Sequence, residues 1–196
     1  FFSFSADEGR TWSQVLNISR TNAPVYLPDL AVDDSGHFYM TWLSYQGSRA
    51  EVYFCRSLDH GATWHLPVRL GEESYFGVAP VLGVDDRGAV FVAWPRSSDA
   101  GSAVELVSSQ DFGQTWSSRV FPAVPWPMSG WRPLLGIRPG GRMDLFIARW
   151  DNGGLLLDIH SSLDYGGSWR KQSVAAGDCH ISAENSGVRC GEGGQL

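Results

Sequence analysis

The sequence predicts an all-β chain built from repeated units of four antiparallel strands. An eight-residue pattern, Ser-x-Asp-x-Gly-x-Thr/Ser-Trp, occurs four times, and its aspartates lie 52, 52 and 53 residues apart. A second pattern, a strand that starts near a proline and leads into a turn and another strand, keeps the same spacing at Pro28, Pro80 and Pro133. Self-similarity at a fixed period of this length is typical of repeat architectures.

We call the eight-residue pattern the box; its copies occupy residues 5–12, 57–64, 109–116 and 162–169. Its Asp and Ser oxygens can accept hydrogen bonds from backbone N–H groups, and its Gly can adopt a positive φ. We therefore expect a tight turn, followed by a Trp that is buried between neighbouring units. Four equivalent copies favour a structural role over catalysis or metal binding. The structural residues are Asp7, Gly9, Trp12, Asp59, Gly61, Trp64, Asp111, Gly113, Trp116, Asp164, Gly166 and Trp169.

The proline-led pattern predicts a hairpin in each unit. In residues 30–42 and 82–94, β-branched and aromatic residues flank an Asp-Asp-x-Gly turn. We favour turn chemistry over calcium binding for these acidic pairs. In the third copy Trp150 follows Pro133 by 17 residues instead of 14, so we expect its turn to be three residues longer.

Four short antiparallel strands in about 52 residues, repeated around an axis, form a blade of a β-propeller. We predict a half blade at residues 1–18, full blades at 24–70, 79–122 and 131–174, and the start of another blade or a tail at 175–196. Seven of the nine Trp residues are assigned to repeat-equivalent core positions. The fold prediction is thus an incomplete arc, half a blade plus three full blades, of a larger propeller.

The four boxes resemble the Asp-box, or bacterial neuraminidase repeat, of sialidases and related β-propellers. The resemblance covers nearly the whole chain, with Ser168 in place of Thr in the last copy. It implies a sialidase-like superfamily fold in which each box forms the turn between the third and fourth strands of a blade, away from the substrate site. Because one fold carries many functions, the resemblance implies little about activity.

Composition narrows the classes of partner. The net charge is −6, with 14 Arg and one Lys, so no basic face is expected and nucleic acid is not a predicted partner. No apolar run approaches the roughly 20 residues that a membrane-spanning helix requires. The predicted partners are glycans or glycoproteins and the remaining blades of a longer parent chain.

The cysteines favour a secreted or cell-surface protein. Cys179 and Cys190 could close a short loop by a disulfide, which suits an oxidising compartment. Two unpaired thiols, or a zinc site that also uses His180, are alternatives, although zinc would lack an obvious fourth ligand. Cys55 lies in a strand pattern, where a buried free thiol is expected. No metal or other cofactor is predicted.

Candidate site residues lie in the loops after second and fourth strands, because these loops share the face opposite the boxes. A sialidase-type site, as the resemblance implies, needs guanidinium groups that grip a carboxylate, a Tyr nucleophile assisted by Glu, and an Asp acid/base. The ligand-binding candidates are Tyr45, Arg49, Arg96, Trp131 and Arg132, and the catalytic candidates are Glu72, Glu73, Tyr75 and Asp99.

The candidates do not form a diagnostic motif. The Arg-Ile-Pro signature of the family is absent, and Trp131-Arg132-Pro133 matches it in part. We therefore expect no complete active site within these residues. The favoured function is an extracellular propeller that binds glycans or glycoconjugates through the face opposite the boxes. The alternatives are a fragment of a sialidase-like exo-glycoside hydrolase and a structural or protein-interaction propeller.

Overall fold

The computed structural model describes residues 1–46, 49–73, 78–98, 101–122, 132–151, 154–175, 179–182 and 187–190. In these residues the regular structure consists of β-strands, and no helix has the length and apolar character needed to cross a membrane. The strands are β1 Val25–Val32, β2 Phe38–Gln46, β3 Arg49–Ser57, β4 Val68–Glu73, β5 Val81–Val84, β6 Val90–Ser98, β7 Gly101–Ser109, β8 Ser117–Pro122, β9 Leu134–Arg138, β10 Arg142–Asp151, β11 Gly154–Ser162, β12 Arg170–Ala175, β13 Cys179–Ser182 and β14 Gly187–Cys190.

The strands form three four-stranded antiparallel sheets, β1–β4, β5–β8 and β9–β12, each joined in sequence order. The first strands of the sheets are neighbours, since β1 contacts β5 and β5 contacts β9. These strands therefore surround a common axis, as the inner strands of propeller blades do. The fold prediction is confirmed: the chain is all-β and consists of four-stranded antiparallel blades. Strands β13 and β14 form a separate hairpin.

The apolar core lies between consecutive blades. One cluster joins the first and second sheets, with Tyr39, Phe54 and Trp94 among its buried members. A second joins the second and third sheets around Phe91 and Leu145. A third packs the N-terminal residues against the first sheet. In the described residues the first two blades therefore bury both faces against neighbouring units and the third buries one, and these faces are apolar for that reason.

The register corrects the prediction of a longer turn in the third blade. Trp94 pairs with Glu105 in the second blade, whereas Ile147 pairs with Asp158 at the equivalent position of the third. Ile147 follows Pro133 by the same 14 residues that separate Pro80 from Trp94. The turn is therefore not lengthened. Trp150 is not repeat-equivalent; its backbone lies further along β10, and its side chain is outside the described residues.

Each box closes the turn between the third and fourth strands with the same hydrogen bonds. In the second copy, the Ser57 hydroxyl donates to Asp59 Oδ1 at 2.7 Å and accepts from Gly61 N at 2.9 Å. The Thr63 N–H donates to Asp59 Oδ1 at 2.8 Å, and its hydroxyl donates to Oδ2 at 2.5 Å. The other three copies repeat this pattern, with Ser168 acting as Thr does elsewhere. The carboxylate is thus engaged within its own turn.

Two consecutive left-handed residues follow each box aspartate. After Asp59, His60 has φ 56° and Gly61 has φ 86°. The sequence signals the Gly but not the residue before it. That residue packs over the glycine of the first hairpin of the same blade: His60 over Gly36, Phe112 over Gly88 and Tyr165 over Gly141. Boxes and first-hairpin turns therefore share one end of each blade, and second and fourth strands finish at the other end.

The first box departs from the expected burial of its Trp. Trp64 is 8% exposed and packs edge to face against Phe2 of the preceding unit, with ring centroids 4.8 Å apart, whereas Trp12 is 66% exposed. The described residues place no blade against Trp12, so it lacks the surface that covers Trp64. Within the described residues the N-terminal unit forms one isolated β-bridge, between Phe2 and Leu16, and beside it lies an apolar cavity of about 240 Å³.

The first-hairpin turns of the first two blades differ in the contacts of one buried carboxylate oxygen. Asp33 Oδ1 accepts from two turn N–H groups, and Oδ2 accepts from the Tyr39 hydroxyl at 2.8 Å and the His37 ring at 2.8 Å. Burial raises the pKa of Asp33, but these hydrogen bonds outweigh it and the net pKa is lowered. Asp85 keeps the two N–H contacts, yet its buried Oδ2 has no partner among the described residues.

Exchanging Tyr and Phe at the two equivalent positions should move the tyrosine hydrogen bond from Asp33 to Asp85. Phe91 stands six residues after Asp85 as Tyr39 stands after Asp33. Phe91→Tyr is expected to raise the free energy of unfolding by about 1–2 kcal/mol by hydrogen-bonding Asp85 Oδ2, and Tyr39→Phe to lower it similarly. Urea unfolding measures both. A destabilised Phe91→Tyr with a destabilised Tyr39→Phe would show that the two turns are not equivalent.

Acid is expected to weaken the box turns. Hydrogen bonds from the Thr63 hydroxyl, the Thr63 N–H and the Ser57 hydroxyl lower the pKa of Asp59 to about 2. The unfolded value is about 3.9, so the ionised carboxylate stabilises the fold above about pH 4, and this stabilisation is lost as pH falls through the folded pKa. The stability difference between the wild type and Asp59→Asn should therefore be largest above pH 4 and shrink towards pH 2. Urea midpoints across this range test it.

The matched control is Asp34→Asn. Asp34 is exposed and makes no side-chain hydrogen bond to the described part of the chain. Its substitution should leave the pH profile of the unfolding midpoint unchanged. A pH-independent difference between the wild type and Asp59→Asn would contradict the role assigned to the box carboxylate.

Candidate functional site

Several candidate side chains fall outside the part of the chain that the structure describes. These are the side chains of Arg49 and Glu73 and the whole of Tyr75, Asp99 and Trp131. The side chains of Cys179, His180 and Cys190 also lie outside it, although the backbone places Cys179 directly opposite Cys190. The described candidates are Tyr45, Glu72, Arg96 and Arg132.

Arg132, just before the third blade, reaches a carboxylate of the first blade. It precedes β9, and its Nη2 donates to Asp29 Oδ2 on β1 and to the Pro80 carbonyl oxygen, at 3.0 Å, just before β5. The Leu82 N–H donates to the same Asp29 oxygen at 3.0 Å. Three blades therefore meet at one ion pair, which we call the axial pair. Its side chains are partly open to solvent, 40% exposed for Arg132 and 26% for Asp29.

The axial pair lies away from the boxes. Asp29 is four residues from the first-hairpin turn at Asp33, a distance of about 13 Å along a strand. It sits at the level where β5 and β9 begin, because Val81 and Leu134 occupy the equivalent positions. The pair is therefore exposed towards the end of the propeller at which second and fourth strands finish.

An irregularity in β1 positions Asp29. The pairing of β1 with β2 shifts by one residue between Tyr26 and Asp29, and Leu27 between them has φ 51°. A branched side chain in the left-handed region is costly, and bulges of this kind redirect the residues that come after them. The local backbone thus departs from the regular blade at the residues that lead into Asp29.

Sequence reasoning included Arg132 but missed Asp29. The signal was present in the repeat: the three positions after the strand-starting prolines are Asp29, Val81 and Leu134, so one is charged where its equivalents are apolar. Arg132 likewise stands where the other blades have Leu27 and Ala79. A charged residue at a repeat position that is otherwise apolar is therefore a better indicator of a functional site than location in a loop.

Arg96 is also paired with a carboxylate. Its Nη1 donates to Glu105 Oε2 at 3.0 Å, and Glu105 Oε1 accepts from the Ser118 hydroxyl at 2.8 Å. Arg69 pairs with Glu51 and Glu72 in the first blade. In the third blade Asp158 pairs with both Arg149 and Lys171. The described guanidinium groups among the candidates are therefore charge-compensated rather than left open for an anion.

Tyr45 and Glu72 have partners of their own. The rings of Tyr45 and Tyr26 meet edge to face with centroids 5.1 Å apart, and Tyr26 is 47% exposed. Glu72 Oε1 accepts from Arg69 Nη2 at 2.6 Å. The aromatic pair lies on β1 and β2, three residues before Asp29 on β1. The structure thus places the exposed Tyr26 ring and Asp29 on the same inner strand, and it places Glu72 on the outer strand β4.

The described residues contain no group of three or more His, Cys, Asp or Glu side chains arranged to hold a metal ion. Cys55 is a free, buried thiol. Burial raises the pKa of Cys55 to about 12, so the thiolate is scarce at neutral pH. The described part of the chain therefore offers hydrogen-bonding and ion-pair chemistry at the axial pair, and the Cys55 thiol is suited to packing.

The sequence matches no family model, and it matches no curated protein. Its fold is similar to those of several solved structures. A PL25 ulvan lyase, solved bound to -[GlcA(1-4)Rha3S]-, is 13% identical with a TM-score of 0.57 over 90% of this chain and 50% of that chain. The GH93 α-L-arabinofuranosidase of Fusarium graminearum, solved with arabinobiose, is 18% identical with a TM-score of 0.52 over 85% of this chain and 52% of that chain.

A protein of unknown function from Dyadobacter fermentans DSM 18053 is 16% identical with a TM-score of 0.51, over 76% of this chain and 54% of its own. The chain thus spans about half the length of each of these structures. At such identities the similarity shows the fold: this chain shares the propeller architecture of enzymes that act on glycans. The identity of its own ligand has to come from the site.

The buried thiol gives a direct test of the packing between the N-terminal unit and the first blade. Cys55 in the folded chain should resist alkylation by iodoacetamide at pH 8, whereas in urea it should react fully, because burial and the raised pKa both suppress the thiolate. Mass spectrometry of peptides that contain Cys55 separates its reaction from that of Cys179 and Cys190. Fast native labelling of Cys55 would contradict its placement between the N-terminal unit and the first blade.

Proposed function

We propose that this chain belongs to an extracellular Asp-box propeller that binds glycans or glycoconjugates through the face opposite the boxes. The binding site is centred on the axial pair, with the exposed ring of Tyr26 beside it. Second and fourth strands of the first two blades end towards the same face, at Gln46, Glu73, Ser98 and Pro122.

The observation that carries this proposal is the axial pair itself. Asp29 and Arg132 bring opposite charges to a position where the equivalent residues of the other blades are apolar. Their side chains remain partly exposed to solvent, so a ligand can reach them. Polar groups that converge from separate blades, with an exposed Tyr ring three residues before Asp29 on β1, are suited to the hydroxyl groups and apolar faces of a sugar.

Two further observations support the proposal. The solved structures with this fold include enzymes whose names describe action on polysaccharides or arabinosides, which makes a glycan a reasonable class of ligand. The backbone of β13 and β14 pairs Cys179 with Cys190, and directly opposed residues of antiparallel strands lie within the Cα separation that a disulfide requires. A disulfide there would fit an extracellular protein.

The alternative of a sialidase-like hydrolase gains less support. Such a site needs guanidinium groups that are free to grip a carboxylate, whereas Arg96 and Arg132 already pair with Glu105 and Asp29. A purely structural or interaction propeller does not require a charged pair at the axis, since Val81 and Leu134 serve in the equivalent places. Binding at the axis is therefore the function that the site supports best.

A glycan array tests the proposal. The wild-type chain should bind a subset of immobilised glycans, and Arg132→Ala should reduce that binding about tenfold, the loss expected for one charge-assisted contact. Arg138→Ala is the matched control, because Arg138 pairs with Asp144 at the end that carries the boxes. Absence of binding to any glycan, or equal losses in both variants, would reject a glycan site at the axis.

A further inference from the structure

We propose that the axial pair recognises adjacent hydroxyl groups of an electrically neutral sugar. This inference rests on the proposed function and names the class of ligand for the same site. The acidic sugars that the sialidase resemblance implies are excluded from the axial position by this arrangement, because the one described guanidinium there is already neutralised. The ligand is therefore identified by its vicinal diol and by its lack of charge at that position.

Charge compensation is the first step. Arg132 and Asp29 together carry no net charge, and the Asp29 carboxylate stands next to the guanidinium that an acidic ligand would need. A ligand carboxylate placed there would face Asp29 as a like charge while competing for the same donor. A neutral hydroxyl group meets no such repulsion. The pair thus favours uncharged ligands over anionic ones of the same shape.

The hydrogen bonds that remain open point to a diol. Asp29 Oδ2 is engaged by Arg132 and by the Leu82 N–H, while Oδ1 accepts no hydrogen bond from the described residues. Arg132 uses Nη2, and its Nε and Nη1 donate none within the same part of the chain. An open acceptor beside open donors matches two neighbouring hydroxyl groups, one of which donates to Asp29 while the other accepts from Arg132.

The pair is also held ready for a ligand. The Leu82 N–H and the Pro80 carbonyl oxygen of the second blade fix the two side chains, so neither has to become ordered when the sugar binds. Such preorganisation lowers the entropy cost of binding. The exposed ring of Tyr26 on the same strand gives an apolar surface against which a sugar ring can pack.

The decisive experiment compares paired glycans that differ at one carbon. Glucose-terminated and glucuronate-terminated oligosaccharides of the same linkage are immobilised together with further neutral glycans, and each is also tested after periodate and borohydride treatment, which cleaves vicinal diols. The wild-type chain should bind neutral glycans at least about tenfold more tightly than their acidic counterparts. Periodate treatment of the bound glycans should abolish the binding.

Asp29→Asn gives the sharpest variant. Asn keeps an oxygen for the Leu82 N–H, so the fold is expected to survive, but it removes the compensating charge from Arg132. The ratio of acidic to neutral binding should rise about tenfold. Asp144→Asn is the matched control, because it removes the carboxylate from the Arg138–Asp144 pair at the opposite end and should leave the ratio unchanged. Thermal unfolding verifies that both variants are folded.

The outcomes separate this inference from the proposed function. A chain that binds acidic glycans more tightly than neutral ones overturns the inference and leaves glycan binding standing. So does an Asp29→Asn variant that is folded and keeps the wild-type ratio. Binding that survives periodate treatment would show that the chain does not recognise a vicinal diol. A chain that binds no glycan of either kind overturns the proposed function together with the inference.

Discussion

The blades of this chain bury sheet faces against the units next to them, and the rest of the structure depends on that constraint. The three apolar clusters all lie between consecutive units, and their members come from both sides of each interface. A sheet with two apolar faces is stable only between two covers, so the unit has to repeat. The box arises from the same constraint, because it fixes the third and fourth strands in the register that presents an aromatic ring to the preceding unit.

The fold was predictable because that constraint leaves a period in the sequence. The polar groups of each Asp-x-Gly turn form hydrogen bonds with side chains of the same turn. The structure of the turn can therefore be inferred without knowledge of its neighbours. Trp150 shows the limit of this reasoning, since residue type suggested an equivalence that strand pairing assigns to Ile147. Trp12 shows another limit: its box is intact, but burial depends on a neighbouring surface, which its own turn does not encode.

The candidate site was less predictable, for a physical reason. Loop residues were chosen because they share a face, yet the axial pair joins residues 103 positions apart through the curvature of the whole arc. Asp29 lies within a strand, so a search restricted to loop residues omits it. The bulge and the left-handed Leu27 that set its direction have no signature in residue type. Only the comparison of equivalent repeat positions would have singled out Asp29.

The axial pair also separates what the propeller needs from what it carries. Val81 and Leu134 show that the start of an inner strand is satisfied by an apolar residue, so folding does not call for a carboxylate at this position. An exposed ion pair contributes little to the stability of the fold, and the positive φ of Leu27 lowers that stability. A charged pair that is dispensable for packing, fixed by the second blade and still open to solvent is better explained by recognition than by architecture. The repeated framework supplies rigidity, and the chemistry lies where the repeat is broken.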